Sequence, residues 1–192
     1  MPSHVALLRG INVGGRGKLP MAQLRAVLES LGHRDVATYI QSGNAVFTAT
    51  GRPRTTALAR EIEDAIESAA GFRPPTVVLT GAELAAVSAD NPFPHVTEAK
   101  QLHAGFFPGP LGRSYAAQAR DAQQLAHDQG SRDEVAIDGS VVYLHTPDGL
   151  GRSRLAELLG RIKGDDGGKV LGTFRNWATV GKLLDLLDEP PG

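Results

Sequence analysis

The chain has 192 residues, and its 20 basic and 21 acidic side chains leave a net charge of −1. The balanced charge argues against general binding of nucleic acids or anionic membranes, while a hydrophobic fraction of 41% is enough for a packed core. Cysteine is absent, which excludes disulfides, thiolate nucleophiles and cysteine-ligated metals. No apolar run approaches the ~20 residues that span a bilayer. Because the strand pattern already starts at Val5, we expect a cytoplasmic protein without a signal peptide.

The first part of the chain has the element order β-α-β-β-α-β, which is typical of a ferredoxin-like unit. Its first strand is an uninterrupted apolar run, as expected for a strand buried on both faces. We interpret Ser42-Gly43 as a two-residue hairpin turn. The predicted elements are strand 5–8, helix 21–31 ended by Gly32, strands 36–40 and 44–48, a helix capped by Thr55 or Thr56 and ended by Gly71, and strand 75–79.

The same element order recurs after residue 100. Between the two repeats, Thr80 and Glu83 form a capping box that opens a short helix, and Asn91-Pro-Phe-Pro94 predicts a turn. The sequence therefore predicts an α+β protein with two tandem ferredoxin-like repeats, at 1–80 and 101–192, joined by a connector at 81–100. The later elements are strand 102–107, helix 114–127, strands 134–138 and 141–145 around Gly139-Ser140, helix 153–163, strand 170–174 and a C-terminal helix.

Chain direction in such a unit places the loop after the first strand beside the hairpin between the second and third strands. The glycine-rich loop Gly10–Lys18 should therefore lie next to Gln41–Asn44. A basic, glycine-rich loop followed by a helix N-terminus suits an anion. A plain structural turn is the alternative interpretation. This first cluster gathers Arg9, Asn12, Arg16, Lys18, Gln41, Ser42 and Asn44.

A second cluster is predicted in the second repeat, where the third and fourth strands end at the same edge of the sheet. There Thr146–Ser153 should meet Arg175-Asn-Trp177, with Ser153 and Asn176 each capping a helix and Arg152, Arg154 and Arg175 alongside. Free amide groups at helix N-termini, together with guanidinium groups, suit phosphate or carboxylate. The candidate ligand-binding residues of both clusters are Arg9, Asn12, Lys18, Ser42, Asn44, Arg152, Ser153, Arg175 and Asn176.

Catalytic and metal patterns are missing from the sequence. The six histidines are scattered, and none pairs with another at helical spacing, so we expect no metal site. Ser42 lacks the G-x-S-x-G elbow of hydrolases, and we interpret Asp133 as a solvated side chain. Neither a catalytic residue nor a cofactor is predicted, and whether the chain is an enzyme stays open.

Five separated motifs carry a resemblance to a known family. They are ALLRGINVGG (6–15), TYIQSGN (38–44), NPFP (91–94), GLGRS (149–153) and T-F-RNW-x-TV-x-KL (173–183). Together they are similar to the bacterial family catalogued as domain of unknown function 1697 (DUF1697). The resemblance covers essentially the whole chain and implies a tandem ferredoxin-like architecture. It implies no activity and no catalytic residues.

The leading functional hypothesis is a protein that binds a small anionic ligand. One alternative is a nucleic-acid module that stacks bases on Phe47 and Tyr143, although the net charge argues against it. Another is a protein-interaction module without catalysis, whose open sheet faces are covered by a partner. Packing of the two halves within one chain would cover those faces most simply, so we expect a monomer.

Overall fold

The computed structural model describes residues 1–15, 17–165 and 167–189. The chain forms two compact units. The first comprises Met1–Ala89 and the C-terminal segment that starts at Gly181, and the second comprises Asp90–Val180. Each unit contains a four-stranded antiparallel sheet. The predicted α+β fold with two β-α-β-β-α-β repeats and a C-terminal helix is therefore confirmed.

In the first unit the strands lie in the order β2-β3-β1-β4, so β1 pairs antiparallel with a neighbour on each side. The elements are β1 (His4–Leu8), α1 (Met21–Ser30), β2 (Arg34–Tyr39), β3 (Asn44–Thr48), α2 (Thr55–Ala70), β4 (Thr76–Thr80) and α3 (Gly81–Ala89).

Apolar side chains on both faces of β1 explain why this strand lies at the centre of its sheet. Val5–Leu8 are fully buried, as the uninterrupted apolar run predicts. Ala6 and Leu8 join the core formed with the inner faces of α1 and α2, while α3 packs against β1 and β4. Leu187, from the C-terminal helix, lies against Gly81 at the start of α3. The first unit therefore includes residues from both ends of the chain.

In the second unit the order is β6-β7-β5-β8, with β5 in the central position. The elements are β5 (Leu102–Phe106), α4 (Arg113–Asp128), β6 (Glu134–Asp138), β7 (Val141–His145), α5 (Arg154–Leu159), β8 (Thr173–Asn176) and α6 (Trp177–Asp188), of which the residues from Gly181 onward belong to the first unit. Among the residues that the structure describes, no helix combines the length and apolar character needed to cross a bilayer.

Several predicted boundaries are confirmed by their hydrogen bonds. Glu83 accepts hydrogen bonds from the amide and hydroxyl groups of Thr80, and the Glu83 amide donates to Thr80 Oγ1, which completes the capping box. Gly71 ends α2 in the left-handed conformation. Asp138 pairs with Val141, so the second hairpin has the predicted two-residue turn.

Other boundaries were wrong. Tyr39 pairs with Asn44, so the first hairpin has a four-residue turn rather than a two-residue one; Ile40 and Gly43 in this turn adopt positive φ. Arg54 occupies the N-cap position of α2 instead of a threonine, and it makes no side-chain capping bond.

Two elements of the second repeat also differ from the prediction. Helix α5 ends at Leu159, four residues earlier than predicted. The last strand, β8, is shifted to Thr173–Asn176, and α6 begins directly after it. As a result, Arg175 and Asn176 lie within the last strand instead of after it.

Gly105 in β5 allows an aromatic ring to lie flat against the sheet. It pairs with Phe174 in the neighbouring strand, and a Cβ atom at Gly105 would lie 2.5 Å from Phe174 Cζ. Phe174 in turn packs against the helix-side core of this unit. The Phe174 ring therefore occupies space that any side chain larger than that of glycine would fill at position 105.

Gly105→Ala should lower the free energy of unfolding by about 1–3 kcal/mol, because the ring has to move out of a packed position. Gly151→Ala is the matched control, since no atom lies within 4 Å of its added Cβ and its φ is not positive. Urea denaturation measures both variants. Equal stabilities of the two variants would contradict the proposed role of Gly105.

His33 is buried without a hydrogen-bond partner for either ring nitrogen among the described residues. Its ring stacks on Phe47, with 4.6 Å between the ring centroids. Burial lowers the pKa of His33, and the nearby charge of Glu61 opposes this effect only in part. Burial also lowers the pKa of His4 and of His103. The folded protein therefore favours the neutral form of three histidines.

Stability should fall as the pH decreases below about 6.5, because the unfolded chain then takes up protons that the folded chain binds more weakly. The stability that these neutral histidines contribute is fully present above about pH 6.5. It is lost as the pH falls from there to the lowered pKa values of the folded state. His33→Phe keeps a ring against Phe47 and removes one titrating group. Urea midpoints at pH 7.5 and 5.5 should differ less for this variant than for the wild type. An unchanged pH dependence would contradict the role of His33.

Candidate functional site

The glycine-rich loop and the first hairpin meet at one end of the first sheet, as chain direction predicts. The Leu8 amide donates to the Gly43 carbonyl at 2.8 Å. The Asn12 side chain donates to the Gln41 carbonyl, also at 2.8 Å. The two segments of the first cluster are therefore in direct contact. Arg16, which the sequence places in the same cluster, lies outside the described residues.

Asn12 holds the loop in its shape. Its Nδ2 donates to the Leu19 carbonyl as well as to Gln41, and its Oδ1 accepts from the Leu19 amide at 2.9 Å. Its own amide donates to the Gly17 carbonyl at 3.0 Å, and its φ is 55°. Asparagine tolerates this left-handed conformation better than most residues. Asn12 therefore closes the loop onto α1 and onto the hairpin.

Asn44 has a similar structural role in the hairpin. It is fully buried, and its Nδ2 donates to the Tyr39 carbonyl at 3.1 Å and to Ser42 Oγ at 3.0 Å. These bonds close the four-residue turn. Of the predicted binding residues in this cluster, Arg9, Asn12, Lys18 and Ser42 are exposed.

The main chain of the loop is unusual for its number of left-handed residues. Gly10, Asn12, Gly14, Gly15 and Gly17 all have φ between 55° and 75°. Turns in which left-handed and right-handed residues alternate are a known source of concave anion sites, because their successive amide groups converge. The loop leads into Pro20 at the N-cap of α1, where no described side chain caps the helix. The first amide groups of α1 are therefore without a side-chain acceptor among the described residues.

The ends of β7 and β8 also lie where topology predicts. The Thr146 amide donates to the Gln101 carbonyl at 2.7 Å, and the Trp177 amide donates to the Ala99 carbonyl at 3.2 Å. Both strands therefore end beside the segment that leads into β5. The two strand ends from which the second cluster was predicted therefore lie at the same edge of the sheet.

Ser153 is the predicted cap of α5, and it is also part of a buried network. Its Oγ accepts from the Ala156 amide and donates to Asp133 Oδ2, each at 2.8 Å. Asp133 is only 3% exposed, so its interpretation as a solvated side chain was wrong. A serine hydroxyl and a carboxylate that bond each other out of water stabilise the entry to α5.

The side chain of Arg175 lies on the face of the sheet opposite the core of α4 and α5. Arg175 pairs with Ala104, whereas Phe174, on the other face, packs with the core of α4 and α5. Arg175 is 7% exposed and donates to Thr173 Oγ1 at 2.6 Å and to the Phe174 carbonyl at 2.9 Å. Burial lowers its pKa to about 10, so the guanidinium remains charged at neutral pH.

The remaining two residues of the second cluster differ in their surroundings. Asn176 Oδ1 accepts from the amide and the hydroxyl of Thr179, each at 2.8 Å, which confirms it as the cap of α6. Arg152 is exposed on the short 3-10 turn before α5. Of the four predicted residues, Ser153 and Asn176 cap helices and Arg175 binds within its own strand.

The structure brings together three residues that the sequence reasoning missed. His95, Glu134 and His145 each offer a ligand atom, and these atoms all lie within 4.8 Å of one another. Helical spacing cannot relate these residues, because His95 lies in a turn, Glu134 in β6 and His145 in β7. The pair Glu134 and His145 could have been predicted from the hairpin, because a two-residue turn at Gly139-Ser140 places these residues directly opposite each other.

Comparisons with known proteins agree on the family and on the fold. The sequence model of the family described as "Protein of unknown function (DUF1697)" matches residues 1–143. The solved structure of the conserved bacterial protein SP0830 from Streptococcus pneumoniae is similar over 98% of this chain and 99% of that chain, with a TM-score of 0.70 and 22% identity. This likeness concerns the fold alone. No curated protein matches the sequence significantly.

Arg175→Ala should lower the free energy of unfolding by about 1.5–3 kcal/mol, the range for hydrogen bonds made by a charged group. The exposed Arg152→Ala is the matched control and should change it by less than about 0.5 kcal/mol. Thermal and urea denaturation measure both variants. If Arg175→Ala were as stable as the control, its guanidinium would not have the structural role described here.

Proposed function

The chain belongs to the DUF1697 family, and we propose that it binds a small ligand carrying phosphate or carboxylate at the glycine-rich loop of its first unit. The observation that carries this proposal is the set of five left-handed residues at positions 10, 12, 14, 15 and 17, in a loop held by the side chain of Asn12. A loop fixed in this way presents its amide groups without a further loss of conformational entropy when a ligand binds.

The charges around the loop support an anionic ligand. Arg9 and Lys18 flank the left-handed run and are both exposed. The sequence contains no aspartate or glutamate before Glu29, near the end of α1. A ligand at the loop would therefore meet two flexible cations and no carboxylate from the same segment.

The start of α1 adds a third favourable feature. Its first amide groups lack a side-chain acceptor among the described residues, and the helix dipole places a partial positive charge there. Phosphate and carboxylate oxygens accept hydrogen bonds from such amides and from arginine or lysine. We keep the proposed ligand in the first unit, because Ser153, Arg175 and Asn176 already have structural partners.

Nucleic-acid binding is less well supported. It would require exposed aromatic rings on which bases stack. Phe47 lies in the helix-side core of the first unit between His4 and His33, and Tyr143 is buried as well. Neither aromatic candidate therefore offers a stacking surface.

Thermal unfolding with and without anions tests the proposal. Inorganic phosphate, pyrophosphate, ATP and citrate form the panel, with sodium chloride at equal ionic strength as the reference. An anion that binds should raise the stability by about 2.7 kcal/mol at 100 times its Kd. The double variant Arg9→Ala/Lys18→Ala should lose this response. Arg52→Ala/Arg60→Ala removes two exposed arginines from the same unit and should keep it.

Asn12→Ala separates the shape of the loop from its charge. This variant keeps both cations but removes the bonds to Leu19 and Gln41, so it should bind the anion more weakly. Gln41→Ala leaves the accepting carbonyl in place and serves as its control. The proposal is wrong if no anion in the panel stabilises the protein. It is equally wrong if the Arg9/Lys18 variant responds as the wild type does.

A further inference from the structure

The hairpin β6–β7 places an imidazole and a carboxylate side by side at its open end. Glu134 and His145 are directly paired across the two strands, and Glu134 Oε1 lies 3.1 Å from His145 Nδ1. His145 is largely buried, whereas the Glu134 side chain is 45% exposed. The pair therefore has one buried member and one that is open to solvent.

His95 reaches the same point from a separate segment of the second unit. Its ring lies 5.9 Å from the His145 ring, at an angle of 85°. One ligand atom from each of His95, Glu134 and His145 falls within 4.8 Å of the other two. Three residues far apart in the sequence thus converge on one small volume.

The turn before His95 fixes its position. The Phe93 amide donates to Asn91 Oδ1 at 3.0 Å, the Val96 amide donates to the Phe93 carbonyl at 3.1 Å, and prolines precede and follow Phe93. The buried Phe93 ring lies 6.2 Å from the ring of His95 and 5.8 Å from that of His145. One aromatic side chain therefore supports both histidines, and the turn supports that side chain.

From this convergence we propose that His95, Glu134 and His145 form a binding site for a divalent transition-metal ion of the Zn²⁺ type. Two imidazoles and one carboxylate are a donor set that Zn²⁺ accepts, with a fourth position left for water or a substrate. Mg²⁺ and Ca²⁺ prefer oxygen ligands throughout. The site lies in the second unit and is independent of the anion site proposed for the first.

Binding requires only a small contraction of the group. With metal–ligand bonds of about 2.0–2.2 Å, the ligand atoms of a tetrahedral site lie roughly 3.3–3.6 Å apart. The pair Glu134 and His145 is already closer than this. His95 is exposed, so a side-chain rotation closes the remaining gap without repacking the core.

Metal titration of the full chain, freed of any affinity tag and of metal by chelator treatment, tests the proposal. We expect one equivalent of Zn²⁺ to bind in isothermal titration calorimetry, and Co²⁺ to develop the visible absorption of a four-coordinate site. His95→Ala and Glu134→Gln should each weaken Zn²⁺ binding by at least about tenfold, because even outer-sphere partners contribute that much. Millimolar Mg²⁺ should not compete.

The controls are matched in residue type and lie outside the group. Glu98→Gln removes another exposed carboxylate of the same unit, and His4→Ala removes a histidine of the first unit; both should bind Zn²⁺ as the wild type does. His145 is largely buried, so His145→Asn is used only if circular dichroism shows a folded protein. The absence of saturable binding to the wild type overturns the proposal. So does unchanged binding by both His95→Ala and Glu134→Gln.

Discussion

Antiparallel pairing of one central strand with two neighbours determines where the functional candidates lie. Because β1 pairs with both β3 and β4, the chain leaves β1 at the end of the sheet where β3 begins. The glycine-rich loop and the first hairpin are therefore neighbours, and Asn12 can bond across them. In the second unit β5 has the same position, and the ends of β7 and β8 meet the segment before it. The requirement that a buried strand satisfies its main-chain groups on both edges thus places these loops.

The element order and much of the fold could be predicted from the sequence, because apolar periodicity and turn residues are local signals. The turn at Gly139-Ser140 was predicted correctly, since the two flanking strands pair regularly up to the turn itself, with Asp138 opposite Val141. The first hairpin was not, because its turn depends on a contact far away in the sequence. A Cβ atom at Gly43 would lie 2.8 Å from Leu8 Cβ, so this glycine is required by the neighbouring strand. Strand β8 was misplaced for the related reason that pairing with β5, rather than its own apolar residues, defines its limits.

In the candidate sites, too, the positions of residues could be predicted better than the orientations of their side chains. Topology predicts the end of the sheet at which Arg175 lies. The face on which its side chain lies depends on the strand register, and the limits of this strand could be predicted only to within a few residues. Asn12 lies in the glycine-rich loop and Asn44 in the neighbouring hairpin, as predicted. The amide group of Asn12 holds the loop, and that of Asn44 holds the hairpin turn. His95 could not be linked to His145 from spacing, because a turn with two prolines and the support of Phe93 bring them together. The order of the elements could therefore be predicted from the sequence, whereas the directions of these side chains became known only from the structure.

The contact of Leu187 with Gly81 has a consequence for the order in which the protein can mature. A ribosome makes the chain from its N-terminus, so every residue of the second unit exists before the segment that starts at Gly181. The second unit is continuous in sequence and can complete its contacts during translation. The first unit is begun earlier but remains without its last packing surface until the segment that starts at Gly181 has been made. The unit that begins earlier in the sequence is thus completed after the other one.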